Sequence, residues 1–191
     1  MADFGGARKW ARAIIEENLK PGAKAIDATM GNGYDTLWLA QLVGHAGRVY
    51  AFDVQELALQ RTRERLEDNG VSDIAVLHAI GHERMKDVVK EPVDAIVFNL
   101  GWLPGTEKET RTKVTTTLEA VNQALTLLNP GGVITICVYP GHDEGARERD
   151  ALILWAKSLD DGVYDAVMCG YQNIKKLPPV LIAVTKRAKT V

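Results

Sequence analysis

"DATMGNGYDT", residues 27–36, separates two apolar runs, and the turn it makes decides the fold around it. Upstream, "AKAIDATM" (23–30) reads as a short buried strand. Downstream, "DTLWLAQLV" (35–43) is apolar almost all round, as expected of a helix pressed against a sheet. Strand, glycine turn and helix form the opening unit of a parallel α/β sheet, whose ligands bind at the carboxyl ends of the strands. Gly31 and Gly33 let the backbone of such a turn approach a ligand closely.

The alternation continues in both directions. A first helix over 6–19 places Trp10, Ala11, Ile14 and Ile15 on one face and stops before Pro21-Gly22. "GRVYAFDV" (47–54) is the second strand, and 55–69 is a charged, one-sided helix ending at Asn69-Gly70. "DIAVLHAI" (73–80) is the third strand, and "HERMKDVV" (82–89) is a short helix. "VDAIVFNL" (93–100) is the fourth strand, apolar through Phe98 and then abruptly polar at Asn99. A long helix covers 110–128, and "NPGG" turns the chain into the fifth strand, "VITICVYP" (133–140). After the helix "GARERDALILWAKSL" (145–159) come two strands, "YDAVMCGYQN" and "PPVLIAVTKR", with only "IKKL" between them. No helix fits in that gap, so the last pair forms an antiparallel hairpin. The predicted fold is a single α/β domain over 1–191. It has a mostly parallel, Rossmann-like seven-stranded sheet, a C-terminal antiparallel hairpin and helices on both faces.

Length and composition agree with one globular domain: 191 residues, 46% apolar and 25% charged. The longest apolar runs are too short to span a membrane, and the N-terminus lacks the pattern of a secretory signal. Cys137 and Cys169 fall inside strands read as buried, as reduced core thiols would, and the expected compartment is the cytoplasm. Trp10, Trp38 and Trp155 lie on helix faces and read as core. His45 and His78 stand in no metal-ligand spacing, so no metal is expected. The net charge of −2 gives no global attraction for nucleic acid. Basic residues cluster locally at Arg8, Lys9 and Arg12; at Lys108, Arg111 and Lys113; at Lys175 and Lys176; and at Lys186, Arg187 and Lys189. Each cluster reads either as solvated surface or as a grip on a small RNA.

The carboxylates distinguish between cofactors. A dinucleotide lays its pyrophosphate on this kind of turn, where nearby negative charge is repelled. Here Asp27 precedes the turn, Asp35 follows it, and Thr36 occupies the place of the dinucleotide fingerprint's third small residue. S-adenosyl-L-methionine has no phosphate and carries a sulfonium, an α-ammonium and a ribose diol. Asp27 and Asp35 suit those cations, and Asp53, 20 residues beyond Gly33, suits the diol. Asp35 has a second reading, as the N-cap of the following helix.

These residues resemble class I S-adenosylmethionine-dependent methyltransferases. More narrowly, they resemble the rRNA methylase family that includes MnmM-like (YtqB-like) tRNA wobble-uridine methyltransferases. The resemblance rests on "DATMGNGYDTLWLA" (27–40), "GHE" (81–83), "FNLGWLPG" (98–105), "YPGHDEGARE" (139–148) and "YQNIKKLPPVL" (171–181). The chain departs from the family at Trp102, where tyrosine is usual, and at "GTEK" (105–108), where a second glycine commonly follows Gly105. The resemblance implies methylation of the exocyclic amine of 5-aminomethyl-(2-thio)uridine in the anticodon stem-loop of tRNA. The alternatives are methylation of rRNA or of a small-molecule amine, or a non-catalytic nucleotide- or RNA-binding module. It also implies cofactor contacts from Asp27, Thr29, Gly31, Asn32, Gly33, Asp35, Asp53, His82 and Asn99, with Leu100, Gly101, Trp102 and His142 on the acceptor side.

An amine attacks only through a free lone pair, yet an alkylammonium near lysine's value of about 10.4 is mostly protonated at neutral pH. The site must therefore hold the amine with acceptors and relieve it of a proton. Asn99, at the end of the fourth strand, offers a side-chain carbonyl for this, and the Leu100 carbonyl offers a second acceptor. Trp102 offers a flat surface to a flipped-out base. Tyr139 and His142 follow the fifth strand on the same edge, and His142 either relays the proton or holds its loop in place. A homodimer is expected if one small domain of weak charge is to grip an RNA hairpin.

Overall fold

A computed structural model of the protein describes residues 4–101 and 112–188. These form α1 (Ala7–Asn18), β1 (Lys24–Asp27), α2 (Tyr34–Val43), β2 (Arg48–Phe52), α3 (Glu56–Asp68) and β3 (Ala75–His78). A 3-10 turn (His82–Arg84) leads into the short α4 (Met85–Val88), followed by β4 (Val93–Asn99) and α5 (Val114–Leu127). Then come β5 (Leu128–Val138), α6 (Asp143–Lys157), β6 (Tyr164–Cys169) and β7 (Val180–Lys186). The strands join in one seven-stranded sheet of order β3-β2-β1-β4-β5-β7-β6. Neighbours from β3 through β5 are parallel, whereas β7 is antiparallel to both β5 and β6. The order reverses between β1 and β4, which makes the crevice above them the switch point.

Alternate residues of the strands feed two cores, as the two-residue period of a strand requires. On one face Ile96 and Phe98 of β4 pack with Ile26, Phe52 and Ile134 against α5 and α6. On the other, Ala95 and Val97 pack with Ile15, Leu39, Val43 and Leu66, from α1, α2 and α3. The first half of α1 leans on β5 and β7, where Ala7 and Ala11 meet Cys137, Leu181 and Ala183.

Three details depart from the sequence reading. The "NPGG" segment does not end one element before the next begins. Leu128 already pairs with Val93, and one residue of β4, Asp94, then faces four of β5 before Ala95 meets Val133. Gly131 permits that bulge with φ +82°. Second, β6 is an edge strand with one neighbour, so Val167 and Met168 are exposed and Cys169 is half-buried rather than core. Third, of the three tryptophans read as core, only Trp155 is buried. Trp38 donates its indole N–H to Glu16 and lies under the Arg12 guanidinium, while Trp10 packs on Tyr171.

Candidate active site

The glycine turn is held from below. Asp27 is fully buried at the end of β1; its Oδ1 accepts the Thr29 amide at 3.1 Å and its Oδ2 the Thr36 hydroxyl at 2.7 Å. Burial, with Asp35 nearby, pushes its carboxyl up to about 7. Gly33 has φ +76°, and a Cβ there would lie 2.8 Å from the Thr62 backbone. Its lack of a side chain thus admits α3, and the close approach expected to serve a ligand serves helix packing instead. Asp27 and Gly33, expected as cofactor contacts, do not line the cavity above the turn. They build its floor.

That cavity has a volume of about 820 Å³ and opens at the carboxyl ends of β1, β2 and β4. Its size suits a cofactor together with a base-sized acceptor. Thr29, Gly31 and Asn32 of the turn line it, as do Asp53, His82 and Asn99. Asp53 accepts the Gly31 amide at 3.0 Å and the Gln55 amide at 2.9 Å, one on each oxygen. Each oxygen keeps a second lone pair, enough for a ribose diol. His82 is buried, with Nδ1 3.1 Å from the Ala28 carbonyl, an arrangement that places the proton on Nδ1 and leaves Nε2 as the acceptor. Burial lowers its pKa and keeps the ring neutral. Two α3 arginines brace Asn32: Arg61 donates to its side-chain carbonyl at 2.9 Å and Arg65 to its backbone carbonyl at 2.8 Å.

On the acceptor side, the Asn99 amide N–H donates to Thr29 Oγ1 at 2.7 Å, stitching β4 to the turn. Asn99 Nδ2 donates to Asp35 Oδ2 at 2.6 Å. A carboxylate only accepts, so this bond fixes the amide's orientation. Asn99 Oδ1 is buried and has no hydrogen-bond partner among the described residues. An orphaned buried acceptor on a cavity wall calls for a donor from a ligand. Asp35 is neither helix cap nor free anion. It stands in the first turn of α2 behind Gly33 and takes Arg12 at 2.7 Å and Arg8 at 3.2 Å.

Leu100, Gly101 and Tyr139 also line the cavity; Trp102 lies outside the described residues. Burial raises the Tyr139 pKa, so its phenol stays protonated. His142 is not on the wall. It caps α6, its Nδ1 accepting the Gly145 amide at 2.9 Å. The bond is of the kind loop support requires, and His142 stands off the cavity wall that a proton relay would have to reach. Reading the sequence alone missed Arg8, which lines the cavity. Its four-residue spacing from Arg12 was visible, but the carboxylate they share comes from another helix. Among the described residues, no group of three His, Cys, Asp or Glu is placed to hold a metal, and no helix is long and apolar enough to cross a membrane.

The glycine turn, Asp53 with lone pairs for a ribose diol and the orphaned Asn99 fit a nucleoside cofactor with an acceptor beside it, and the sheet order sets them at its switch point. Fold and site are those of a class I S-adenosylmethionine-dependent methyltransferase. Residues 49–185 match the family model described as "Putative rRNA methylase", and the chain belongs to that family. It is 35% identical, over 95% of its length and 69% of the relative's, to the chloroplastic tRNA (mnm(5)s(2)U34)-methyltransferase of Arabidopsis thaliana. The crystal structure of a "putative rRNA-methylase" from Clostridium thermocellum superposes with TM-score 0.95 at 34% identity, covering 97% of this chain and all of that one. A Streptococcus mutans protein described as a "putative methyltransferase", solved in complex with SAH, superposes with TM-score 0.88 at 36% identity over 96% and 99% of the two chains.

Proposed function

We propose that the protein methylates RNA, and specifically the exocyclic amine of 5-aminomethyl-(2-thio)uridine at the tRNA wobble position, giving the 5-methylaminomethyl nucleoside. The observation that carries this reading is the Asn99 carbonyl, buried, orphaned and aimed by Asp35. The wobble methyltransferase named among the relatives supports the choice of acceptor.

When bound, S-adenosylmethionine supplies an activated methyl carbon. The protein's task is to align and deprotonate the amine. Asn99 Oδ1 accepts one amine N–H, which directs the lone pair away from Asn99. Asp35 alone would stabilise the ammonium, but Arg8 and Arg12 outnumber it, and the surplus positive charge favours the neutral amine. Asp53 and His82 take the cofactor's diol and adenine, and Thr29 keeps Asn99 in register with the turn. The substrate partner is the anticodon stem-loop, met in the cytoplasm.

The test supplies the protein with S-adenosylmethionine and tRNA bearing 5-aminomethyl-2-thiouridine, then digests the tRNA and weighs its nucleosides. One added methyl on that nucleoside is expected. Asn99→Ala should lower turnover by roughly a hundredfold or more while cofactor affinity changes by less than about threefold, in line with loss of one preorganised contact. Methylation of another nucleoside, or full activity of the variant, would sink the reading.

A further inference from the structure

The hairpin of β6 and β7 brings an unexpected surface to the catalytic edge. Cys169 pairs with Leu181, and Val180 with Val138 at the carboxyl end of β5, so the segment 170–179 rises beside Tyr139. There it is tied to the start of α1. The Tyr171 hydroxyl donates to the Gly5 carbonyl, and its ring meets Trp10 at 5.6 Å. Trp10 in turn donates its indole N–H to the Phe4 carbonyl at 2.6 Å. The tethered Phe4 is 78% exposed, and Ile174 and Leu177 are exposed as well.

The charge on this face has one sign. Neither 4–15 nor 166–179 contains an Asp or Glu, while Lys9, Lys175 and Lys176 are exposed. Arg8, one turn beyond Phe4, connects the face to the cavity wall. Exposed apolar and aromatic groups among fixed positive charges fit unstacked bases on a phosphate chain. They do not fit a folded duplex, which offers no base faces.

We infer that the face formed by residues 4–9 and 171–177 docks the single-stranded loop of the RNA substrate, with Arg8 marking where the target nucleotide enters the cavity. The inference rests on the RNA reading above and adds where the RNA lies.

The experiment measures the KM for tRNA and its salt dependence in three full-length variants: Lys175→Glu/Lys176→Glu, Phe4→Ala, and Lys90→Glu/Lys157→Glu. The last pair carries the same charge change at the opposite edge of the sheet, after α4 and at the end of α6. Calorimetric titration with S-adenosylmethionine reports that each variant is folded. The first variant should raise KM roughly tenfold or more and reduce the log–log salt slope by about 1 to 2. Phe4→Ala should raise KM roughly tenfold with the slope unchanged. The opposite-edge pair should leave both near wild type. Equal effects from both lysine pairs, or none from the first, would overturn the proposal. A fall to half the mass in light scattering with unchanged KM would assign the face to a second copy of the chain and overturn it as well. Failure of the wild-type protein to methylate tRNA at all would instead count against the function itself.

Discussion

Asn99 is aimed by a single bond to Asp35, and under the proposed function the charge around that bond sets how readily an amine sheds its proton beside it. Removing one positive charge should therefore show in the pH profile before it shows in affinity. Arg8→Gln keeps much of the side chain's bulk but leaves one guanidinium against one carboxylate, so an amine at Asn99 becomes harder to deprotonate. Its apparent kcat pKa should move upward, with turnover depressed at pH 7 and largely recovered near pH 9. A profile superimposable on wild type would remove Arg8 from this role. Asp27 makes a different prediction, about stability. Its folded pKa lies near 7, above the ordinary 3.8, so between about pH 4 and 7 the folded state holds a proton that the unfolded state has lost. Its contribution then decreases as pH rises through that window. Asp27→Asn, neutral in both states and able to serve Thr29 and Thr36, should stay folded and flatten the fall in melting temperature from pH 5 to 8. Asp27→Ala should cost about 2 kcal/mol at pH 5, because the buried Thr36 hydroxyl and the Thr29 amide lose their bonds.

Elements were easier to read from the chain than their surroundings. The strand–turn–helix at residues 27–36, the seven strands and the closing hairpin follow from local periodicity and from a gap too short for a helix. What escaped depends on contacts between distant segments. Gly33 looks the same in a sequence whether a ligand or Thr62 approaches it. Arg8 looks like solvated surface until α2 brings Asp35 to it. β6 looks like a core strand until the sheet order leaves it at the edge. His142 shows the difference most directly, since its motif suggests chemistry and its hydrogen bond makes it a cap for α6. His142→Asn, a strong capping residue, should retain both melting temperature and turnover, whereas His142→Ala should lose about 1 kcal/mol of stability. Loss of turnover in both, with stability intact in the asparagine variant, would restore a chemical role.

At the scale of the whole molecule, the cavity draws on the turn after β1, on β2 and β4, the 3-10 turn and α1, so a ligand that fills it ties together most of the sheet. S-adenosylmethionine at about a hundred times its Kd should add about 2.7 kcal/mol, which for a chain of this size raises the melting temperature by about 5–10 °C. NADH at the same concentration should leave it unchanged, because buried Thr36, bonded to Asp27, occupies the place of the small residue that lets a pyrophosphate settle at the helix N-terminus. A larger shift with NADH would reverse the cofactor assignment.

The sheet order also bears on how the protein is made. β7 follows β6 in the chain yet sits inside it, between β5 and β6. A polypeptide leaving the ribosome N-terminus first can assemble β1 through β5 from strands already emerged. The segment 170–179, which stands beside Tyr139, is not in place at that stage. Until residues 180–186 arrive, β5 has an open edge and β6 has no neighbour, with Val167 and Met168 bare. Unpaired edges of this kind are templates for another chain. The nascent protein is thus most exposed to misassembly in the brief interval before its seventh strand slides into place, and a chaperone would have its use then.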